Sequence, residues 1–187
     1  ALTPDIITTN DNMGVPVHYQ GRFLQNQSDS DFPTEWPDFD YETLKDMAIS
    51  HGCYYSTDAS GNIYKDGIED EAHEIDFMTE FGIGNQNDAP YNLAFIDTVD
   101  GNPPEPDGSN LTTIAVSGNS IGVKGVFYLG ANFDASGVGS PPALTVDDPN
   151  GISTPLSEIF INGVLYTAGT LSLSGNDGVY GSVVSEM

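Results

Sequence analysis

One recurrence constrains this chain more than anything else in it. Gly125, Val126, Tyr128, Ser136 and Gly137 return, at one constant offset, as Gly163, Val164, Tyr166, Ser174 and Gly175. A further Ser-Gly pair, Ser117-Gly118, precedes Ser136-Gly137 by half that offset. The glycine block returns once more as Gly181-Ser-Val-Val184, again close to half an offset after Gly163. So short a period, half the step from Gly125 to Gly163, cannot accommodate a helical repeat. It suits one coil of a β-solenoid, in which short strands of successive turns pair in parallel. The predicted architecture is therefore mainly β: a parallel β-solenoid body over 111–187, with an antiparallel β-sandwich as the alternative. The glycines fall where strands end or the backbone needs a conformation other residues avoid. Residues 144–158 interrupt the recurrence and read as a loop replacing part of one rung.

The remainder of the chain reads as part of the same single domain, 1–187. Residues 1–31 suggest an N-terminal arm with one or two strands, and 38–82 a small helical insertion. A helix is predicted over Asp38–His51, capped by Asp38 or Asp40 and ended by Gly52. Its apolar stripe would be Tyr41, Leu44, Met47 and Ala48. A second helix is expected from about Glu71 to Phe81, stopping at Gly82. Strands are expected at Cys53–Ser56, at Ile63-Tyr64 after the turn Asp58–Gly61, and at Tyr91–Asp97. A proline-containing loop then runs from Thr98 to Asn110.

Charge sets limits on partners. The 187 residues hold 28 acids against four Lys and Arg, a net charge of −24. Such a surface repels phosphate backbones and anionic lipid, so nucleic acid is excluded as a partner. There is no run of about 18 or more apolar residues to span a bilayer as a helix. The start, Ala-Leu-Thr-Pro without Met, suggests a processed or truncated N-terminus. The polar, lysine-poor composition favours an extracellular or cell-surface location. Two acceptor sequons, at Asn26 and Asn110, are compatible with export.

Few residues group into known chemistry. His18, His51 and His73 lack zinc spacing, and the lone Cys53 reads as a small buried hydrophobe. Glu69, His73 and Asp76 would share a helix face, which reads as a solvated acidic surface rather than a metal site. Two loops are expected to hold calcium. Asp97, Asp100 and Asn102 form one, and Asp147, Asp148 and Asn150 the other, each with a glycine that lets carboxylate and amide oxygens converge. Lys124 and Arg22 are the only bases near the predicted sheet. That is too few for the Asp-and-Arg groove of a solenoid enzyme acting on carbohydrate.

The ending Ile159–Val184, with Gly163-Val-Leu-Tyr166, Gly169, Gly175-Asn176 and Val179-Tyr-Gly-Ser-Val-Val184, resembles the C-terminal part of PilX-type pilus-assembly, pilin-like bacterial surface proteins. Gly122-Val-Lys-Gly-Val-Phe-Tyr-Leu-Gly130 looks like an earlier rung of the same kind. The resemblance covers the C-terminal repeat region alone and lacks the apolar N-terminal helix typical of pilins. It implies a non-enzymatic structural subunit, filament-forming or adhesive, that self-associates. A calcium-dependent glycan-binding module and a carbohydrate-active solenoid enzyme are the alternatives. The arm Ala1–Asn12, with Ile6 and Ile7, is expected to cover an exposed strand edge of its own body or of a neighbour.

Overall fold

A computed structural model describes residues 40–147, 152–173 and 178–186. These lie in the second of two compact units, Ala1–Phe39 and Asp40–Met187. The predicted arm and strands of 1–31, including Ala1–Asn12, lie outside the described residues. In chain order the elements are α1 (Tyr41–His51), β1 (Tyr54–Thr57), β2 (Ile63–Lys65), β3 (Glu74–Ile75), α2 (Phe77–Phe81), β4 (Gly82–Ile83) and β5 (Asn92–Ile96). There follow β6 (Thr112–Asn119), β7 (Gly122–Leu129), β8 (Ala131–Gly139), β9 (Leu144–Asp147), β10 (Ser153–Leu156), β11 (Ile159–Thr167), β12 (Leu171–Ser172) and β13 (Gly178–Ser185).

The protein is mainly β, with a mixed and mostly parallel main sheet in the order β13-β11-β7-β5-β1-β2-β3; β4 pairs with β7 beside β5. A smaller sheet has the order β12-β8-β6. From β5 onward the chain alternates between the two sheets, apart from the β9–β10 hairpin, and every pair among these alternating strands is parallel. The antiparallel sandwich is thereby overturned for this region. Between the sheets sits the main core, with Phe127, Phe133, Phe160, Ile96, Leu129 and Leu165 fully enclosed.

The recurrence appears as register. Gly125 pairs with Gly163, Val126 with Val164 and Tyr128 with Tyr166, and Gly163 pairs in turn with Gly181. In the smaller sheet the half-offset holds from Thr112↔Ala131 to Ala115↔Asp134; a bulge then sets Ser117 opposite Gly137 rather than Ser136. The glycine column has a steric cause. At Gly125, Gly163 and Gly181 φ is +152°, +136° and +140°, and a Cβ would lie 2.1, 2.0 and 1.9 Å from the carbonyl oxygen of Asn92, Gly125 and Gly163 respectively. Only glycine lets these backbones close up.

Local signals explain α1. Asp40 caps it through Thr43 N (3.2 Å) and Thr43 Oγ1 (2.7 Å), and Gly52, left-handed at φ +68°, ends it. Its inward line is Tyr41, Leu44, Lys45 and Ala48, of which Leu44 and Lys45 are half-buried. Met47 stands 53% exposed, contrary to the predicted stripe. The reason is electrostatic, because a buried carboxylate below the helix draws Lys45 inward.

Three further expectations are corrected. The second helix is only Phe77–Phe81: Asp76 caps it at Thr79 N (2.8 Å), while Glu74–Ile75 pairs with β2. Residues 38–82 are not a helical insertion, since β1 lies in the main sheet between β5 and β2. Residues 144–158 are not a bare loop, since β9 and β10 pair antiparallel from Leu144↔Leu156 to Asp147↔Ser153.

Candidate interaction surface

Five strands stack in register on the face of the main sheet that turns away from the core. One column is Tyr54, Phe95, Tyr128, Tyr166 and Val184. Its rings stack face to face, with centroids 6.1, 4.5 and 5.1 Å apart and planes 22°, 10° and 12° from parallel. Tyr41 of α1 meets Phe95 and Tyr128 at steep angles (58° and 62°) and, with Ala48, covers the column. Such ring pairs contribute about 0.5–1.5 kcal/mol each beyond area burial. A neighbouring column, Leu93, Val126, Val164 and Ser182, is exposed.

The stack has two dissimilar ends. At one, β2 and β3 are short, and the segment 63–76 that carries them holds Asp66, Glu69, Asp70, Glu71, Glu74 and Asp76 against Lys65. At the other, β13 has eight residues and no charge, Gly-Val-Tyr-Gly-Ser-Val-Val-Ser. No strand pairs with its outer side among the described residues. Val179, Tyr180 and Val184 are exposed there. Natural edge strands are usually shortened, charged, bulged or covered. The β3 end follows that rule; β13 is neither shortened nor charged.

The two loops chosen for calcium do different work. Asp97 is fully buried and turns towards α1. Its carboxylate takes Lys45 Nζ (2.7 Å), Tyr54 Oη (2.7 Å), the Tyr41 hydroxyl and Thr98 N (2.8 Å). Lys45 Nζ also donates to Gly101 O (2.5 Å). Burial, and then Asp97 itself, hold the Tyr41 and Tyr54 hydroxyls protonated well above the usual phenol range. Asp100 faces the other way: its Oδ1 accepts from Thr98 Oγ1 (3.1 Å), Asn102 N (3.1 Å) and Asn110 Nδ2 (3.0 Å). Led by the Asn102 and Asn110 contacts, these hydrogen bonds hold its carboxyl down to about 2. The structure therefore does not bring Asp97, Asp100 and Asn102 together around one point. Asp147 accepts from Ser153 Oγ (2.5 Å), while Asp148 and Asn150 lie outside the described residues. Among the described residues, no three His, Cys, Asp or Glu side chains converge as a metal site.

Other candidates resolve into local structure. Asn110, a predicted glycan acceptor, is buried. Its Nδ2 donates to Asp100 and to Pro103 O (3.0 Å), and its Oδ1 accepts from Glu105 N (2.9 Å). In the folded protein that amide is already fully used. Asn26 lies outside the described residues. Glu69, His73 and Asp76 share no helix face, since His73 Nδ1 pairs with Asp70 Oδ1 (2.7 Å) in a turn and Asp76 caps α2. Cys53 is half-buried beside Ala48 O (3.6 Å), and burial pushes its thiol up. Glu71, Glu74 and Asp76 line an open, polar cleft of about 390 Å³ with Asn62 and Ala115.

Lys124 is buried on β7. Its ammonium donates to Gln86 O (2.9 Å) and Ala89 O (2.8 Å) and lies 4.7 Å from the centre of the Tyr91 ring. It fastens the 86–91 segment to the sheet. Sequence reasoning notes Lys124 as a base but misses Tyr41, Lys45 and Tyr54 as partners of Asp97. The usable signal is the i, i+4 spacing of Tyr41 and Lys45 on one helix face.

Comparison with known proteins finds no matching family model, no matching curated protein and no matching solved structure.

Proposed function

We propose that this chain is a non-enzymatic structural protein of the cell surface or extracellular space, and that it acts by self-association through the open end of a short β-solenoid. The observation that carries the reading is β13: a long, neutral strand edge on a chain of net charge −24, with no partner strand on its outer side among the described residues. Keeping charge off one strand in so acidic a chain removes the like-charge repulsion that would oppose strand pairing there. Support for the solenoid comes from the alternation of β5 to β13 between two parallel sheets and from the one-glycine-per-strand column. The resemblance of Ile159–Val184 to PilX-type, pilin-like surface proteins points the same way.

Sedimentation of the full chain over a concentration series, at low and high salt, tests the reading. Association should strengthen with salt, because the acids repel between copies and salt screens them. A protein that stays monomeric at every concentration and salt level is not a self-associating subunit.

A further inference from the structure

Lys45 and Asp97 bring an amine and a carboxyl carbon together in a nearly closed site. Lys45 Nζ lies 2.7 Å from Asp97 Oδ2, with the aspartate side chain fully enclosed and the lysine side chain 18% exposed. The nitrogen also donates to Gly101 O (2.5 Å), and the ring centres of Tyr41 and Tyr54 each lie 5.6 Å from it. Gly101 sits close over the pair, since a Cβ there would lie 3.3 Å from Nζ and 3.8 Å from Oδ2. From this arrangement we infer that Lys45 and Asp97 form a self-modification site, at which amine and carboxyl condense to an intramolecular amide and release one water. The inference does not depend on the self-association proposed above.

The groups that such a condensation requires are in place. Two buried charges each cost desolvation. A proton passing from Nζ to Oδ2 along their hydrogen bond cancels both and leaves an amine beside a carboxylic acid. The nitrogen then attacks Cγ, and the carbonyl electrons move onto Oδ1. That oxygen already accepts from the Tyr41 hydroxyl and from Thr98 N (2.8 Å), two donors fixed where the negative charge develops. Oδ2, already carrying one proton, takes a second from the nitrogen and leaves as water; Tyr54 Oη donates to this leaving oxygen (2.7 Å). Burial, and after it Asp97, keep both phenols protonated and so able to donate. Ammonium and carboxylate thus become amide and water, with no other reactant. The product keeps the same partners, its N–H on Gly101 O and its C=O on Tyr41 and Thr98 N. Holding the two groups in contact removes most of the entropic barrier to their reaction. Lys65 and Glu80 lack these conditions, at 3.3 Å and with side chains 45% and 31% exposed. The bond ties the middle of α1 to the end of β5 and keeps the helix seated on the aromatic column.

The intact mass of the full chain, held folded and then denatured for measurement, reads the bond directly. The expected result is a chain lighter than its sequence by one water. Trypsin should fail to cut after Lys45 and should release one species joining the peptides that contain Lys45 and Asp97. Acylation of amines in denaturant should modify Lys65 and Lys124 but leave Lys45 untouched. Lys45→Arg and Asp97→Ala chains should show their full sequence masses. The decisive reading is on the wild-type chain, so it stands even where a variant folds poorly. A wild-type chain of full mass, with Lys45 acylated, overturns the proposal. So does a water loss that leaves Lys45 acylated or persists in Lys45→Arg, because it then arises elsewhere, as by ring closure at Asp100-Gly101.

Discussion

Tyr128 and Tyr166, one full repeat apart in sequence, lie directly opposite one another on adjacent parallel strands and stack with ring centroids 5.1 Å apart. The glycines that precede them at equal spacing, Gly125 and Gly163, are paired as well. The same two columns thus record the repeat twice, once in side chains and once in the space where side chains are missing.

Gly163→Ala should be among the most damaging substitutions in the chain. Its φ of +136° strains any L side chain, and the new Cβ would fall 2.0 Å from Gly125 O. The expected loss is about 3 kcal/mol or more, combining backbone strain with overpacking. Gly84→Ala is the control, because its nearest neighbour would be 4.0 Å away, and it should change stability little. Urea unfolding of the two variants makes the comparison; equal midpoints would show that the column is not sterically locked.

Lys45→Met should cost about 3–5 kcal/mol, since it strands the Asp97 carboxylate in a fully buried position. Adding Asp97→Asn should recover part of that loss, because the double variant no longer buries a lone charge. Thermal melting of the single and double variants completes the cycle. A double variant as unstable as the sum of both singles would mean that the two residues do not act as a pair.

The buried phenols predict the alkaline limit. Burial pushes Tyr55 up to about 12, and Tyr41, Tyr54, Tyr128 and Tyr166 are also raised from 10.0, with burial the first cause in each. A folded value above the unfolded one means that the stabilisation is complete below pH 10 and is lost as pH climbs through the folded values. Stability should therefore hold up to about pH 10 and fall steeply beyond it. Tyrosinate absorbance should rise in two phases, exposed rings first and these five together with unfolding. Ionisation of every tyrosine in one phase near 10, without unfolding, would contradict the burial.

Lys124→Met should loosen a segment rather than the whole protein. It removes the donor from Gln86 O and Ala89 O and the cation from the Tyr91 ring. Amide exchange in residues 84–91 should quicken at least tenfold, while exchange in β7 and β11 changes less. Uniform quickening across the sheet would assign Lys124 to global stability instead.

What is legible in the sequence is whatever is local or repeated. The Asp40 cap and the Gly52 stop act within a few residues of themselves, so the predicted first helix ends where α1 ends and begins within a turn of it. The glycine and tyrosine columns are legible because each strand restates them. The surroundings of Asp97 are not, because Lys45, Tyr41 and Tyr54 come to it from distant elements. An Asp-Thr-Val-Asp-Gly stretch looks the same whether its first carboxylate faces solvent or the underside of a helix. Glu74 and Ile75 read as helix because a β-bridge to Tyr64 and Ile63 leaves no periodic mark over two residues. The functional reading from resemblance concerns the ending of the chain, where β13 lies at the rim of the main sheet.

The β9–β10 hairpin sets a rule for how the length of this chain can change. Gly125, Gly163 and Gly181 must keep their phase with one another, so adding or deleting one residue inside β7, β11 or β13 would throw every later glycine out of step. The hairpin lies between β8 and β11, outside both parallel ladders, and closes on itself through Leu144↔Leu156 and its neighbours. Residues spliced between Asp147 and Ser153 lengthen the connection without moving a single strand pair, provided that the hairpin stem is kept. Length variation is therefore quarantined there, and a tag or reporter inserted at that tip would ride on the fold without disturbing its count.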